Sequence, residues 1–199
     1  MATNRQQAAR ETRRKLVDAA KRIISEKGLS NTSIDEITEA CGVAKGTFYT
    51  YFKRKEDIVF ELSGEMFGEI LLAAKERPGT ALQKLEYYMV CFSGYIEKSS
   101  LKLAQEWVKN SAAPDLCADG KKKLEQDIAD MRELLLSFTQ SGELCADAPV
   151  DLLARTLTEA LYGQMLCWCM SGGAFGFEER TRQFCQDCLP ALLQCYLKK

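Results

Sequence analysis

Apolar residues recur at helical spacing along almost the whole chain of 199 residues, and no clear run alternates between apolar and polar residues. A repeat of three to four residues places apolar side chains on one stripe of a helix, whereas a half-buried strand needs a repeat of two. Glycine, proline or serine separates the periodic segments, as at Pro78-Gly79 and Ser99-Ser100. The pattern therefore predicts an all-α protein.

Nine helical segments are expected, at residues 7–27, 34–41, 45–52, 56–76, 80–98, 100–111, 120–141, 149–171 and 177–197. Pro190 lies within the last of them. Because proline has no N–H and its ring clashes with the preceding turn, we expect it to kink or divide that helix.

Charge is distributed unevenly along the chain. Residues 1–60 hold 12 Lys and Arg against 8 Asp and Glu, a net charge of +4. The remaining 15 basic and 20 acidic residues give residues 61–199 a net charge of −5. Only the N-terminal end is therefore expected to meet a polyanion.

Several residue types and motifs that would indicate an enzyme or a membrane protein are missing from the sequence. The chain has no histidine, which excludes Ser-His-Asp and Cys-His catalysis and His-ligated zinc. It also has no Gly-rich phosphate loop and no paired metal-ligand motif, so neither a cofactor nor a metal is predicted. No apolar run approaches the roughly 18–20 residues of a membrane span. The polar, basic start is unlike a secretory signal, so we expect a cytoplasmic protein with no membrane partner.

The nine cysteines are an odd number in a chain without an export signal, and we interpret them as reduced thiols. On a helix, Cys167 and Cys169 point about 200° apart and cannot share a metal. Cys185 and Cys188 lie on a common face, but the sequence offers no two further ligands. Core packing, thiol-based redox sensing and metal sensing remain open for these residues.

A helix–turn–helix pattern stands out near the N-terminus. Ser33 and Glu36 have the spacing of a capping box at the start of one short helix. Gly42 allows a tight turn with positive φ, and a second short helix follows it.

On a helical wheel, the second short helix separates into three surfaces. Phe48 and Phe52 face inward, whereas Gly46, Thr47, Tyr49 and Thr50 face outward. The flanks carry Lys45, Tyr51, Lys53 and Lys55. Hydroxyl groups and cations around a glycine suit a helix that enters the DNA major groove by its N-terminal end. An ordinary amphipathic bundle helix is the alternative.

The run from Thr32 to Ile58 closely resembles the DNA-binding domain of TetR/AcrR-type transcriptional regulators, above all in the gap-free segment Lys45-Gly46-Thr47-Phe48-Tyr49-Thr50-Tyr51-Phe52 and in Lys55-Glu56-Asp57. The resemblance implies a phosphate contact for Thr32, groove contacts for Lys45, Gly46, Thr47 and Tyr49, and backbone contacts for Tyr51 and Lys55. Asp35 departs from the family pattern, in which many members carry a hydrogen-bond donor. The predicted DNA-binding residues are Thr32, Ser33, Lys45, Gly46, Thr47, Tyr49, Thr50, Tyr51, Lys53 and Lys55.

The resemblance further implies a helix–turn–helix domain at residues 1–55 and a helical effector-binding and dimerisation domain at residues 56–199. The expected partners are a double-stranded DNA operator, a small-molecule effector and a second copy of the chain. Candidate pocket residues are Phe67, Phe92, Trp107, Met131, Phe138, Tyr162, Met165 and Trp168. Candidate residues of the homodimer interface are Leu153, Leu157, Leu161, Phe184, Leu192 and Tyr196.

These features together predict a ligand-responsive regulator, a repressor that releases a palindromic operator when a small molecule binds. A redox-sensing regulator of the same fold is one alternative. A helical adaptor that binds protein or RNA without operator specificity is the other.

Overall fold

The computed structural model describes residues 4–55, 57–111 and 117–198, without the side chains of residues 4–5, 59–60, 62–65 and 117–119. The described part is all-helical, as predicted, apart from one isolated antiparallel bridge between Leu144 and Leu197. Its ten helices are α1 (Asn4–Lys27), α2 (Ile34–Ala40), α3 (Lys45–Tyr51), α4 (Asp57–Glu76), α5 (Ala81–Ser99), α6 (Leu101–Ser111), α7 (Cys117–Ser141), α8 (Val150–Met170), α9 (Phe177–Asp187) and α10 (Leu189–Leu193).

The last predicted helix is divided at its proline. Helix α9 ends at Asp187, and Pro190 lies in the first turn of α10. Proline is tolerated in a first turn because the N–H it lacks would have no partner there. The predicted division is therefore confirmed.

Helices α1 to α3 and the start of α4 form an N-terminal unit around a small core. Its buried members are Leu16, Ala20, Ile24, Leu29, Ile37, Phe48, Phe52, Ile58 and Leu103. Leu103 belongs to α6, so the second half of the chain contributes directly to this core. Two hydrogen bonds reinforce the contact, from Ser25 Oγ to Ser99 O at 3.0 Å and from Lys102 Nζ to Glu26 O at 2.8 Å.

The C-terminal unit packs α4, α5 and α7 to α10 around a larger core. Leu153, Leu157 and Leu161 of α8 are at most 7% exposed within it. In this conformation the three leucines pack within the chain's own core, which differs from the dimer contacts predicted for them. Phe184 and Tyr196 are partly buried against the same core, whereas Leu192 is 41% exposed.

None of the helices in the described part combines the length and the apolarity that crossing a bilayer requires.

Candidate DNA interface and ligand cavity

The predicted capping box is present at the start of α2. Ser33 Oγ accepts from the Glu36 N–H at 3.2 Å, and Ser33 N–H donates to Glu36 Oε2 at 2.9 Å. Hydrogen bonds from Lys27 and Ser33 lower the pKa of Glu36 to about 2. Gly42, with φ +66°, then turns the chain from α2 into α3.

Helix α3 separates into the buried and exposed sides that its sequence predicts. Phe48 is 0% and Phe52 4% exposed, and their ring centroids lie 5.4 Å apart in the core. Tyr49 is 53% exposed and is the largest side chain on the opposite side. We refer to Lys45, Gly46, Thr47, Tyr49 and Thr50 as the outward face of α3; of these, Thr47 is half-buried and the others are exposed.

Gly46 has no packing reason to be glycine within this chain. A Cβ at this position would meet no atom within 4 Å, and its φ is not in the left-handed region. Glycine inside a helix costs roughly 0.5–1 kcal/mol relative to alanine. The missing side chain therefore favours an external surface that approaches the helix closely at this point.

Asp35 and Lys45 form an ion pair between α2 and the start of α3. Lys45 Nζ lies 2.9 Å from Asp35 Oδ2, and both side chains are exposed. The hydrogen bond and the charge of Asp35 raise the pKa of Lys45. Asp35 thus positions a residue of the outward face, a role that the sequence did not suggest.

Thr32 and Lys55 are engaged inside the protein. Thr32 is 2% exposed and donates its hydroxyl to Gly28 O at 2.8 Å. Lys55 Nζ donates to Leu29 O at 2.8 Å and to Thr32 O at 3.0 Å. In this conformation both side chains hold the loop between α1 and α2, which differs from the direct phosphate contacts expected of them.

The other predicted DNA contacts vary in accessibility. The Ser33 hydroxyl is engaged in the α2 cap, Tyr51 is half-buried, and Lys53 is exposed just beyond α3. Lys53 also lines an open cleft of about 700 Å³ between the N-terminal unit and α7. This interdomain cleft is formed by Arg13, Tyr51, Phe52, Lys53, Arg54, Asp57, Glu61, Lys122, Lys123 and Gln126.

A second space, which we call the aromatic cavity, lies in the C-terminal unit and has a volume of about 60 Å³. Since one water needs about 10–15 Å³ of such space, the cavity has room for a few waters only. It is lined by Phe67, Phe92, Tyr95, Ile96, Ser99, Leu103, Ala104, Trp107, Lys123, Asp127, Tyr162 and Met165.

Five of the eight predicted pocket residues line this cavity, namely Phe67, Phe92, Trp107, Tyr162 and Met165. The other three do not. Met131 and Phe138 are fully buried in the main core, and Trp168 stacks on Phe177 with ring centroids 5.8 Å apart. Aromatic residues of core and cavity have the same sequence spacing, so periodicity did not distinguish them.

The aromatic cavity also contains a buried ion pair that sequence reasoning missed. Lys123 and Asp127 of α7 pair directly, with side chains only 10% and 3% exposed. Tyr162 Oη donates to Asp127 Oδ2 at 2.6 Å, and Lys123 Nζ lies 4.5 Å from the centroid of the Phe67 ring. Burial and the charge of Asp127 raise the pKa of Tyr162, so its hydroxyl remains a donor. The i, i+4 spacing of a lysine and an aspartate was the only signal in the sequence.

Comparisons with known proteins agree with this architecture. Residues 16–62 match the family model described as bacterial regulatory proteins, tetR family. The HTH-type transcriptional regulator AcrR of Shigella flexneri is 27% identical, over 99% of this chain and 94% of its own.

Two solved structures have a similar fold. TylP, a TetR regulator from Streptomyces fradiae, is 26% identical with a TM-score of 0.65, over 96% of this chain and 88% of its own. FadR of Bacillus subtilis, crystallised with stearoyl-CoA, is 23% identical with a TM-score of 0.67, over 87% of this chain and 95% of its own.

The chain carries a helix–turn–helix segment that matches the tetR family over residues 16–62, and along nearly its full length it is similar to HTH-type transcriptional regulators.

Proposed function

We propose that the protein is a repressor that binds a palindromic operator as a homodimer and releases it when a small molecule enters the aromatic cavity. The observation that carries the proposal is the outward face of α3. This face is exposed and polar, it includes a glycine that the chain's own packing does not require, and Phe48 and Phe52 fix its orientation from behind. A short helix presented in this way suits the major groove.

The exposed side of α8 supports the homodimer. Leu152, Leu166 and Met170 are 62%, 43% and 78% exposed. At 100° per residue they lie within about 40° of one another around the helix. Leu192 of α10, 41% exposed, is a further apolar residue on the surface of the C-terminal unit. Exposed apolar stripes of this kind favour contact with a second copy through a two-fold interface. We therefore propose Leu152, Leu166 and Met170 in place of Leu153, Leu157 and Leu161.

The position of the aromatic cavity supports a coupling between ligand and DNA. Leu103 lines the cavity and is also a member of the core of the N-terminal unit. Phe67 belongs to α4, the helix that follows α3, and stacks on Phe92 with ring centroids 4.2 Å apart. A ligand larger than a few waters must displace such residues. It therefore binds one conformation better than the other, which is the condition for allosteric coupling.

Ligand binding by a similar protein is compatible with this proposal. FadR of Bacillus subtilis was crystallised with stearoyl-CoA, and its chain has the same fold as this one. The structure gives less support to redox sensing by the buried thiols. Burial raises the pKa of Cys169 to about 11 and that of Cys185 to about 12, and the thiolate is the reactive form.

Selection of bound duplexes from a random pool, using the full chain, tests the proposal. We expect a palindromic motif whose half-sites lie about one helical turn, roughly 34–36 Å, apart. A reporter gene placed behind that motif should be repressed by the protein. Selection of no motif, or of one without two-fold symmetry, would contradict the proposal and favour the adaptor alternative.

A further inference from the structure

The interdomain cleft and the aromatic cavity adjoin at one residue. Lys123 lines both spaces. Its ammonium group pairs with Asp127 on the cavity side, and it lies over the face of the Phe67 ring. An ammonium group has three donors, so Lys123 can keep its bond to Asp127 and still donate to a group placed in the cleft.

The interdomain cleft is basic. Five cations line it, namely Arg13, Lys53, Arg54, Lys122 and Lys123, against the two carboxylates Asp57 and Glu61. Those carboxylates are engaged, because Arg13 lies 2.8 Å from Glu61 and Arg54 lies 3.3 Å from Asp57.

Two of the five cations have no ion-pair partner among the described residues. In the part of the chain that the structure describes, no carboxylate lies within ion-pair distance of the Lys53 or Lys122 ammonium group. Among the described residues, the five cations of the cleft thus outnumber its two carboxylates, and the cleft lies beside the aromatic cavity.

We propose that the effector is an amphipathic anion whose apolar body enters the aromatic cavity and whose phosphate or carboxylate head binds in the interdomain cleft. Lys122 and Lys123 of α7 hold the head from one side, and Lys53 holds it from the N-terminal unit. This proposal rests on the function proposed above and names the chemical class of the effector.

A cationic effector fits the same residues less well. Both oxygens of Asp127 already accept hydrogen bonds, one from Lys123 and the other from Tyr162. A cation that approached Asp127 would meet the Lys123 ammonium group and the excess positive charge of the cleft. The aromatic rings alone would then have to offset that repulsion.

The site also explains how the ligand would act on DNA binding. Lys53 is one of the proposed contacts to the DNA backbone, and it is exposed just beyond α3. An anionic head that binds Lys53 withdraws it from the phosphates and ties the N-terminal unit to α7. The operator and the effector therefore compete for the charge of Lys53. They also favour different positions of the N-terminal unit relative to α7.

The proposal is tested by calorimetric titration of the full chain with four probes, each built on a straight chain of twelve carbons. The probes are dodecyl phosphate, laurate, dodecanol and dodecyltrimethylammonium, each below its critical micelle concentration. We expect both anions to bind about tenfold more tightly than the alcohol and the ammonium. The ratio between the two anions distinguishes a phosphate head from a carboxylate head. Equal or tighter binding of the ammonium probe, or no binding of either anion, would overturn the proposal.

Two neighbouring lysines provide a matched pair of variants. Lys122→Gln removes an exposed cation of the cleft and should weaken dodecyl phosphate by about two- to fivefold, the range of an exposed charge contact. Lys121→Gln removes the adjacent cation, which lies outside the cleft at 3.7 Å from Glu125, and should change nothing. Identical behaviour of the two variants toward dodecyl phosphate would overturn the proposal.

The direction in which a substitution of Asp127 changes the affinity for the probes is an independent test of the effector's charge. Asp127→Asn keeps an acceptor for Tyr162 but removes a negative charge next to the site. We expect it to tighten binding of dodecyl phosphate and to weaken binding of the ammonium probe; the reverse signs would contradict an anionic effector.

The operator selection remains separate from all these titrations. If the protein binds a palindromic operator and releases it only with dodecanol or the ammonium probe, the proposed function stands and the proposal of an anionic effector is wrong.

Discussion

The N-terminal and C-terminal units present their candidate sites in opposite ways. The outward face of α3 comes from one helix of seven residues and is exposed. The aromatic cavity is assembled from five helices, α4 to α8, and its charged residues are buried. A surface formed by one helix follows from local periodicity, whereas a cavity formed by five helices follows only from how they pack. Substitutions should therefore act mainly on binding in the first unit and on both stability and binding in the second.

The largest effect is expected at the buried ion pair. Lys123→Ala leaves the Asp127 carboxylate buried without its cation, and the free energy of unfolding should fall by about 3–5 kcal/mol. Urea unfolding followed by circular dichroism measures this change. The double variant Lys123→Met/Asp127→Leu removes both charges and should recover most of this loss, apart from about 1–3 kcal/mol for the hydrogen bond that Tyr162 donates to Asp127. If the single variant loses less than about 1 kcal/mol, the pair is not buried as described.

Lys55 should behave as a structural residue within the N-terminal unit. Lys55→Met removes two hydrogen bonds from an ammonium group to backbone carbonyls, and stability should fall by about 1.5–3 kcal/mol. Lys53→Gln is the matched control. It should leave stability unchanged but make the log–log salt dependence of operator binding shallower by about 0.9. If the two variants have interchangeable effects, their assigned roles are wrong.

Tyr49 should affect which sequence is bound. Tyr49→Ala removes the largest side chain of the outward face, which is 53% exposed and has no part in the core. Loss of a base contact typically costs about 1–3 kcal/mol of discrimination. We therefore expect the selected operator motif to change while the unfolding midpoint stays constant. An unchanged motif would remove Tyr49 from the contacts that determine specificity.

Gly46→Ala should change stability and binding in opposite directions. A Cβ fits the open space in the free protein, so stability should rise by about 0.5–1 kcal/mol. The same Cβ would lie between the helix and a duplex, so operator affinity should fall. Thermal unfolding and fluorescence anisotropy measure the two effects. Unchanged affinity would show that no surface approaches the helix at Gly46.

The smallest effect is a pH dependence at the α2 cap. Lys27 and Ser33 lower the pKa of Glu36 from 4.5 to about 2. Its stabilising contribution is therefore fully present above pH 4.5 and is lost as the pH falls from there toward 2. The stability difference between the wild type and Glu36→Gln should shrink over that range. A difference that stays constant would mean that the carboxylate does not carry the cap.

The predictions from sequence were reliable where a local rule applied. The capping box of Ser33 and Glu36, the inward position of Phe48 and Phe52, and the division at Pro190 each depend on residues within one turn or two of each other. Lys55 shows the limit, because the carbonyls it binds belong to Leu29 and Thr32, more than twenty positions earlier in the chain. No spacing rule connects residues so far apart.

Helix α8 shows a second limit. Leu153, Leu157 and Leu161 are core residues, whereas Leu152 and Leu166 on the same helix are exposed. Helix α8 carries apolar residues on several of its sides, and a helical wheel does not show which of these sides the rest of the chain buries. The structure therefore buries the three predicted interface leucines in the core and leaves a different apolar side of α8 exposed.

The sequence by itself determined the helical class, the helix–turn–helix and the residues that face outward from α3, because these depend on the 3.6-residue period and on local caps and turns. Only the tertiary structure decided which apolar side of α8 is free, which aromatic residues line a cavity, and that Lys123 joins this cavity to a basic cleft. Those outcomes depend on contacts between helices far apart in the chain, where burial and charge are decided by neighbours that no local pattern identifies.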